Sequence, residues 1–355
     1  DADVTLTTDA NAGVINMNQL AQTDNSGNTL TLNTQGAGTA TIVNATAVNL
    51  AAGTVGGATS ITATLGNIID AGTFTVSAGG ATFVTSANNA TITLGTLAVT
   101  GGITLTTNDS SGADSDATIV NATAFAFGAS TVDGDLSATA TLGNITQSGA
   151  LTVGGAGTFI TEDSGSNIIL GNAGNAFASF VTLKAAAGGD EAFGNITFVD
   201  SGGVKLDANA NATGDLFIDA STDGTVGGAL SVTATTGNIT QGIALTVGGT
   251  GTFVTSADDA DIVLSTATNA ITGEVSFTTN TSESAAAGTS DVTFDNGVLD
   301  IVFAASTIDG DLVVTSGNVS GITDNGTVTV DADVTLTTDA NAGVINMNQL
   351  AQTDN

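Results

Sequence analysis

The opening stretch, DADVTLTTDANAGVINMNQLAQTDN, returns letter for letter as residues 331–355, so the chain is a 330-residue period plus the opening of a second. A degenerate repeat is nested inside that period. GTVGGATSITATLGNIIDAGTFTVSAGGATFVTS begins at Gly53, STVDGDLSATATLGNITQSGALTVGGAGTFITED at Ser130 and GTVGGALSVTATTGNITQGIALTVGGTGTFVTSA at Gly224, with a weaker copy from Ser306. Their anchors Val55, Val132, Val226 and Ile308 fall at unequal intervals, the longest from Val132 to Val226. Repetition at such periods constrains the fold more than any motif, because each repeat must bury its apolar face against its neighbours. The reading is one continuous solenoid over 1–355, entered and left mid-array. It has four diverged modules per 330-residue block, no caps in this segment, and further copies of the block in tandem or end to end.

The strand signal lies within the modules. Ile61-Thr-Ala-Thr-Leu65, Thr73-Phe-Thr-Val76 and Thr91-Ile-Thr-Leu94 alternate apolar and hydroxyl side chains, the period of a half-buried strand. Gly-Gly, Gly-Asn and Asp-Gly pairs punctuate the runs with turn chemistry. Only VINMNQLAQ, residues 14–22, suggests a short helical turn. The fold expected is all-β, a parallel β-helix. Proline, which would remove a ladder donor from an interior strand, is absent. At roughly 20 residues per coil the block would hold about 16 coils and span about 80 Å. Phe74, Phe83, Phe159 and Phe253 recur in the modules and are expected to stack in the core.

LGNITQSGALTVGGAGTF, residues 142–159, and TGNITQGIALTVGGTGTF, residues 236–253, resemble strand–turn units of filamentous haemagglutinin-like and autotransporter-type bacterial surface proteins. The resemblance implies a right-handed parallel β-helix, export to the bacterial surface, and service as an adhesin, fibre or stalk. It covers most of the chain and is carried by composition and turn pattern.

Composition removes several functions. Against 34 acidic residues stand only Lys184 and Lys205, a formal charge of −32. Nucleic acid is excluded as a partner, since phosphate recognition needs cationic side chains. No apolar run is long enough to insert into a membrane as a helix. Without Cys or His there is no thiolate or imidazole chemistry, and the glycines of GGAGTF and GGTGTF read as corners rather than a nucleotide loop. Glu162-Asp163 and Asp190-Glu191 are the densest carboxylate pairs. With no Trp, Tyr or Arg to hold a sugar they read as solvated turns, and no catalytic residues are assigned.

Two acidic loops are candidate Ca²⁺ sites: NDSSGADSDA, with Asp109, Asp114 and Asp116, and SADDADIV, with Asp258, Asp259 and Asp261. Hard oxygen donors at alternating spacing suit that ion. The same residues equally suit solvated turns. Thr-x-Thr pairs (Thr5/Thr7, Thr29/Thr31, Thr62/Thr64, Thr91/Thr93, Thr104/Thr106) would form an ice-binding face only if they align in consecutive coils; otherwise they are ordinary exposed strand positions. Asn44-Ala-Thr46, Asn121-Ala-Thr123 and Asn195-Ile-Thr197 read as glycan acceptors or as inward Asn ladders.

The function expected is structural: an extracellular or cell-surface fibre, stalk or sheath segment, bacterial in origin, not an enzyme, with lateral self-association open to it. With two lysines and no arginine it offers a trypsin-like protease almost nothing. The alternative is an adhesin-type module gripping a receptor, a polysaccharide or ice. The place to look for that is the longest module, whose extra residues fall between Lys184 and Asp223.

Overall fold

The computed structural model describes residues 2–22, 27–108, 115–185, 194–207, 215–218, 225–280 and 289–353. These contain 42 strands and no helix. The chain divides into two compact units, Asp1–Ser179 and Phe180–Asn355. Each is a β-solenoid in which a strand pairs in parallel with its counterpart one coil later. Alternation explains the local structure. In Thr59–Ala63, Leu136–Ala140 and Leu230–Ala234 the first, third and fifth positions are buried and the two between them half-exposed.

The first unit has eight coils: 4–20, 30–44, 48–63, 68–85, 92–106, 117–132, 136–153 and 157–177. The second has seven: 181–200, 204–234, 239–255, 262–278, 292–308, 312–330 and 334–352. We number them 1 to 15 in chain order. Two sheets line the core of each unit, sheet A opening each coil and sheet B closing it; in the second unit a three-stranded sheet of Thr225–Val226, Thr246–Val247 and Ala270–Ile271 lies between them in chain order. Register partners such as Ile15↔Ala40, Thr59↔Ala81 and Ala81↔Ile103 give the length of a coil. Most coils are longer than the sequence suggests, because their strands and wide turns need more chain than the compact estimate allows. With coils 1 and 15 sharing a sequence, the period holds about 14 coils, not 16.

Most coils have one long strand on one sheet and two short strands, separated by a bend, on the other. In coils 3 and 4 the long strand is on sheet B (Thr59–Ala63, Ala81–Thr85). In coils 6 to 8 it is on sheet A (Ala117–Asn121, Leu136–Ala140, Gly157–Thr161). Coil 5 makes the exchange. Its strand Ile92–Val99 pairs with two short strands in coil 4 and with the long Ala117–Asn121 in coil 6. The module repeat is therefore seven half-coils long. TSITA of the first module lies on sheet B, and its equivalent LSATA on sheet A. The second unit does the same: Leu230–Ala234 lies on sheet B and Leu312–Ser316 on sheet A.

Residues 14–22 are not helical. Ile15–Leu20 is a strand paired with Ala40–Asn44, which supplies its ladder partners. Among the described residues one strand departs from chain order. Asp215–Ile218 pairs with both Val181–Lys184 and Val204–Leu206, entering between strands that precede it in sequence.

The core is aliphatic with phenylalanines. Phe74, Phe83, Phe159 and Phe253 are fully buried, as expected, but they do not form one stack. The half-coil displacement puts equivalent rings on different sheets and in coils far apart. Phe159 instead meets Phe127 and Phe177 edge-on at 6.0 and 6.1 Å, while Phe253 stacks on Phe277 at 5.8 Å.

Candidate functional site

The polar residues most conspicuous in the sequence are used on the backbone at the corners. Where the chain turns into sheet A or B, a backbone N–H is left without a ladder carbonyl, and buried or half-buried donors need partners. The Asx side chain one coil earlier supplies the acceptor. Asp116 Oδ1 accepts from Asp135 N–H at 2.8 Å, and Asp135 Oδ1 from Ala156 N–H at 2.7 Å. The second unit has a column of its own: Asn238 to Asp261, Asp261 to Asp291, Asp291 to Asp311 and Asp311 to Asp333, at 2.8–3.0 Å. Four successive carboxylates thus stand one coil apart, the first three of them as acceptors. Burial first, then the charges of Asp311 and Asp261, hold the Asp291 carboxyl above its ordinary value, opposed by the hydrogen bond from the Asp311 N–H.

The Ca²⁺ candidates separate accordingly. Asp109 and Asp114 lie outside the described residues. Asp116 and Asp261 are the corner acceptors just described. Asp258 accepts from Asn280 Nδ2 at 2.5 Å, and Asp259, with φ 57°, accepts from Thr289 Oγ1 at 2.6 Å. Among the described residues no three acidic side chains gather as a metal-binding group. Glu162 and Asp163 occupy a turn after Gly157–Thr161, and Asp190-Glu191 falls outside the described residues.

Buried amides form a second set. Asn121, fully buried, accepts from Val99 N–H at 2.8 Å and donates to Val99 O and Thr123 O at 2.9 Å each. Asn44 bonds Gln22 and Ala47 in the same manner. These two Asn-x-Thr triplets are inward turn clamps, while Asn195 is exposed and caps Ala229 N–H. Sequence reasoning missed the amide pairs Gln147–Asn175 and Gln241–Asn269, each joined by two reciprocal bonds of 2.8–3.0 Å. Their signal was present: both pairs have the same spacing, and their first members end the recurring GNITQ.

The Thr-x-Thr pairs do not share a face. Thr5/Thr7 and Thr93 are on sheet A, Thr62 and Thr104/Thr106 on sheet B, for the same half-coil reason. A different hydroxyl row does align. Thr41, Ser60, Thr82 and Thr104 are register partners in coils 2 to 5 of sheet B, beside a second row of Val43, Thr62, Val84 and Thr106. An open groove of about 570 Å³ runs along its border past Ala58, Gly80, Gly102 and Gly128, with no titratable side chain in its wall. Sheet A carries the equivalent row Thr118, Ser137, Thr158 in coils 6 to 8.

What the molecule repeats is therefore corners, clamps and plain faces, with no convergent set of reactive groups among the described residues. A family described as "Repeats of unknown function (DUF5649)" matches residues 114–184, 193–278 and 286–352, more than half of the chain. The chain belongs to this DUF5649 repeat family. Each matched stretch holds one module anchor: Val132, Val226 and Ile308. No curated protein and no solved structure matches the chain. DUF5649 repeats, as built here, are units of seven half-coils whose polar side chains join one coil to the next.

Proposed function

We propose that this chain is a non-catalytic structural segment of an extracellular or bacterial cell-surface fibre, stalk or sheath, made of tandem β-solenoid blocks. The observation that carries the reading is the use of the Asx columns. Side chains that an enzyme or a metal site would aim at a ligand are here bonded to the backbone of the next coil, in one unit after the other. A polar inventory spent on stacking suits a part whose output is length and stiffness. The resemblance to haemagglutinin-like surface proteins supplies the setting, and the near absence of basic residues suits exposure to foreign proteases. Electron microscopy of chains carrying one, two and three blocks tests it. Each block should add about 70 Å of contour, about 14 coils at about 4.8 Å. Particles that thicken without lengthening would refute it.

An adhesin-type binding role is favoured by one observation, the out-of-order strand Asp215–Ile218, which among the described residues only the longest module has. On that reading the chain is retained on a polysaccharide or receptor support, and Leu216→Asp, which evicts the buried Leu216, releases it.

A further inference from the structure

On two long-strand faces of the first unit, coils 2 to 5 of sheet B and coils 6 to 8 of sheet A, no outward side chain is charged. The outward positions of coils 2 to 5 on sheet B are Thr, Ser and Val, with Gly102 at the edge, in a chain with 34 acidic residues. Those of coils 6 to 8 on sheet A are Thr, Ser, Val and Ile. In the second unit Thr197, Ser231, Thr252 and Ser276 form the same row on sheet B. Such a face is flat, neutral and ruled at the coil repeat, with a hydroxyl row beside a methyl-rich one. Because the module is seven half-coils long, one unit presents it on both sides of its core.

We propose that copies of this chain associate side by side through these long-strand faces, sheet against sheet. This goes beyond a scaffold role, since a stalk can be built from solitary solenoids.

Two arguments select a second copy as the occupant. The first is charge. Two chains of net charge −32 repel wherever corners meet, and only the neutral faces allow close approach. The second is spacing. A second copy has the same coil rise, so its Thr and Val rows stay in step with those of the first over every coil engaged, at the about 10 Å separation of packed sheets. A face four coils deep and one long strand wide covers about 300 Å². That is well under the about 800 Å² per partner of a stable pair, so one face gives a weak contact and several acting together a firm one. Faces on both sides of the core let a chain bind two neighbours, so assemblies grow beyond dimers.

The test is sedimentation of the whole chain over a concentration series at low and at high NaCl. The expected result is a mass that rises with concentration past the dimer, more steeply at high salt, where corner repulsion is screened. Thr82→Asp with Thr104→Asp disables one face and should stop growth at small assemblies. Adding Ser137→Asp and Thr158→Asp should weaken association at least tenfold. Thr54→Asp, at an exposed position on a short strand, should change nothing. Circular dichroism confirms folding, and if the Asp variants unfold, Thr82→Gln with Thr104→Gln crowds the face without charge and should weaken association in the same direction. A monomer at every concentration and salt would overturn the proposal. So would face variants that associate as the wild type does, which would assign the contact to coil ends or corners. End-to-end joining of blocks, the basis of the proposed fibre, is read separately as contour length and survives the face variants.

Discussion

At the scale of single residues, the solenoid is held by positions with no room and by polar groups with assigned partners. Gly101 shows the first kind. A Cβ built there would lie 1.7 Å from the carbonyl oxygen of Gly79, its neighbour in the turn column one coil earlier. Gly101→Ala must push two backbones apart, and a cost of about 1–3 kcal/mol is expected, read as a lowered urea midpoint. Gly95 is the control. The nearest atom to its added Cβ is Asp70 Oδ1 at 3.9 Å, so Gly95→Ala should leave the midpoint nearly unchanged. Asp291 shows the second kind. Its folded-state carboxyl titrates above its unfolded value, so the folded protein binds the proton more readily. Stability from this group is therefore gained as pH falls through the folded value, is complete below the unfolded one, and is lost as pH rises again. Asp291→Asn keeps an Oδ1 to accept from the Asp311 N–H and removes the charge. It should raise stability at neutral pH and flatten the part of the urea-midpoint pH profile that belongs to this column. A variant less stable at neutral pH would show that the carboxylate contributes more than its neighbours' repulsion costs.

At the scale of strands, sequence and neighbour share control, and the stretch that occurs twice separates the two. In coil 1, INMNQL forms the single strand Ile15–Leu20 against the long Ala40–Asn44. In coil 15 the same letters form two short strands, Ile345–Asn346 and Leu350–Gln352, against the short pair Ile322–Asp324 and Val328–Val330. The strand length is set by the coil on which the segment is laid, as expected where β propensity reports packing more than backbone preference. This is also where sequence reading reached its limit. Alternation of Thr with Ile, Val and Leu made strand identity and the inward face legible, as in Thr59–Ala63 and its relatives. Nothing local to residues 14–22 told strand from helical turn, because the deciding partners lie one coil away. The Asp residues of the acidic loops were legible as turn formers, but their bonds to the next coil follow from the coil length, which the residues alone placed too short. The Gln147–Asn175 clamp was hidden for the same reason, since its spacing means contact only once the true coil length is known.

At the scale of the whole chain, the described strands pair within their own coil or with an adjacent one, and damage should stay where it is made. Phe159→Ala removes a ring that touches Phe127 in coil 6 and Phe177 in coil 8. A local cost of about 3–5 kcal/mol is expected. In native-state hydrogen exchange, amides of coils 6 to 8 should lose protection while those of coils 2 to 4 keep theirs. Uniform loss across the first unit would mean that the unit opens as one cooperative body. The half-coil length of the module also bears on how such a chain can lengthen. Inserting one module would set long strands over bent pairs at the splice, whereas inserting two restores the phase. A gene growing by whole duplications would then keep only even counts, and the 330-residue period contains four.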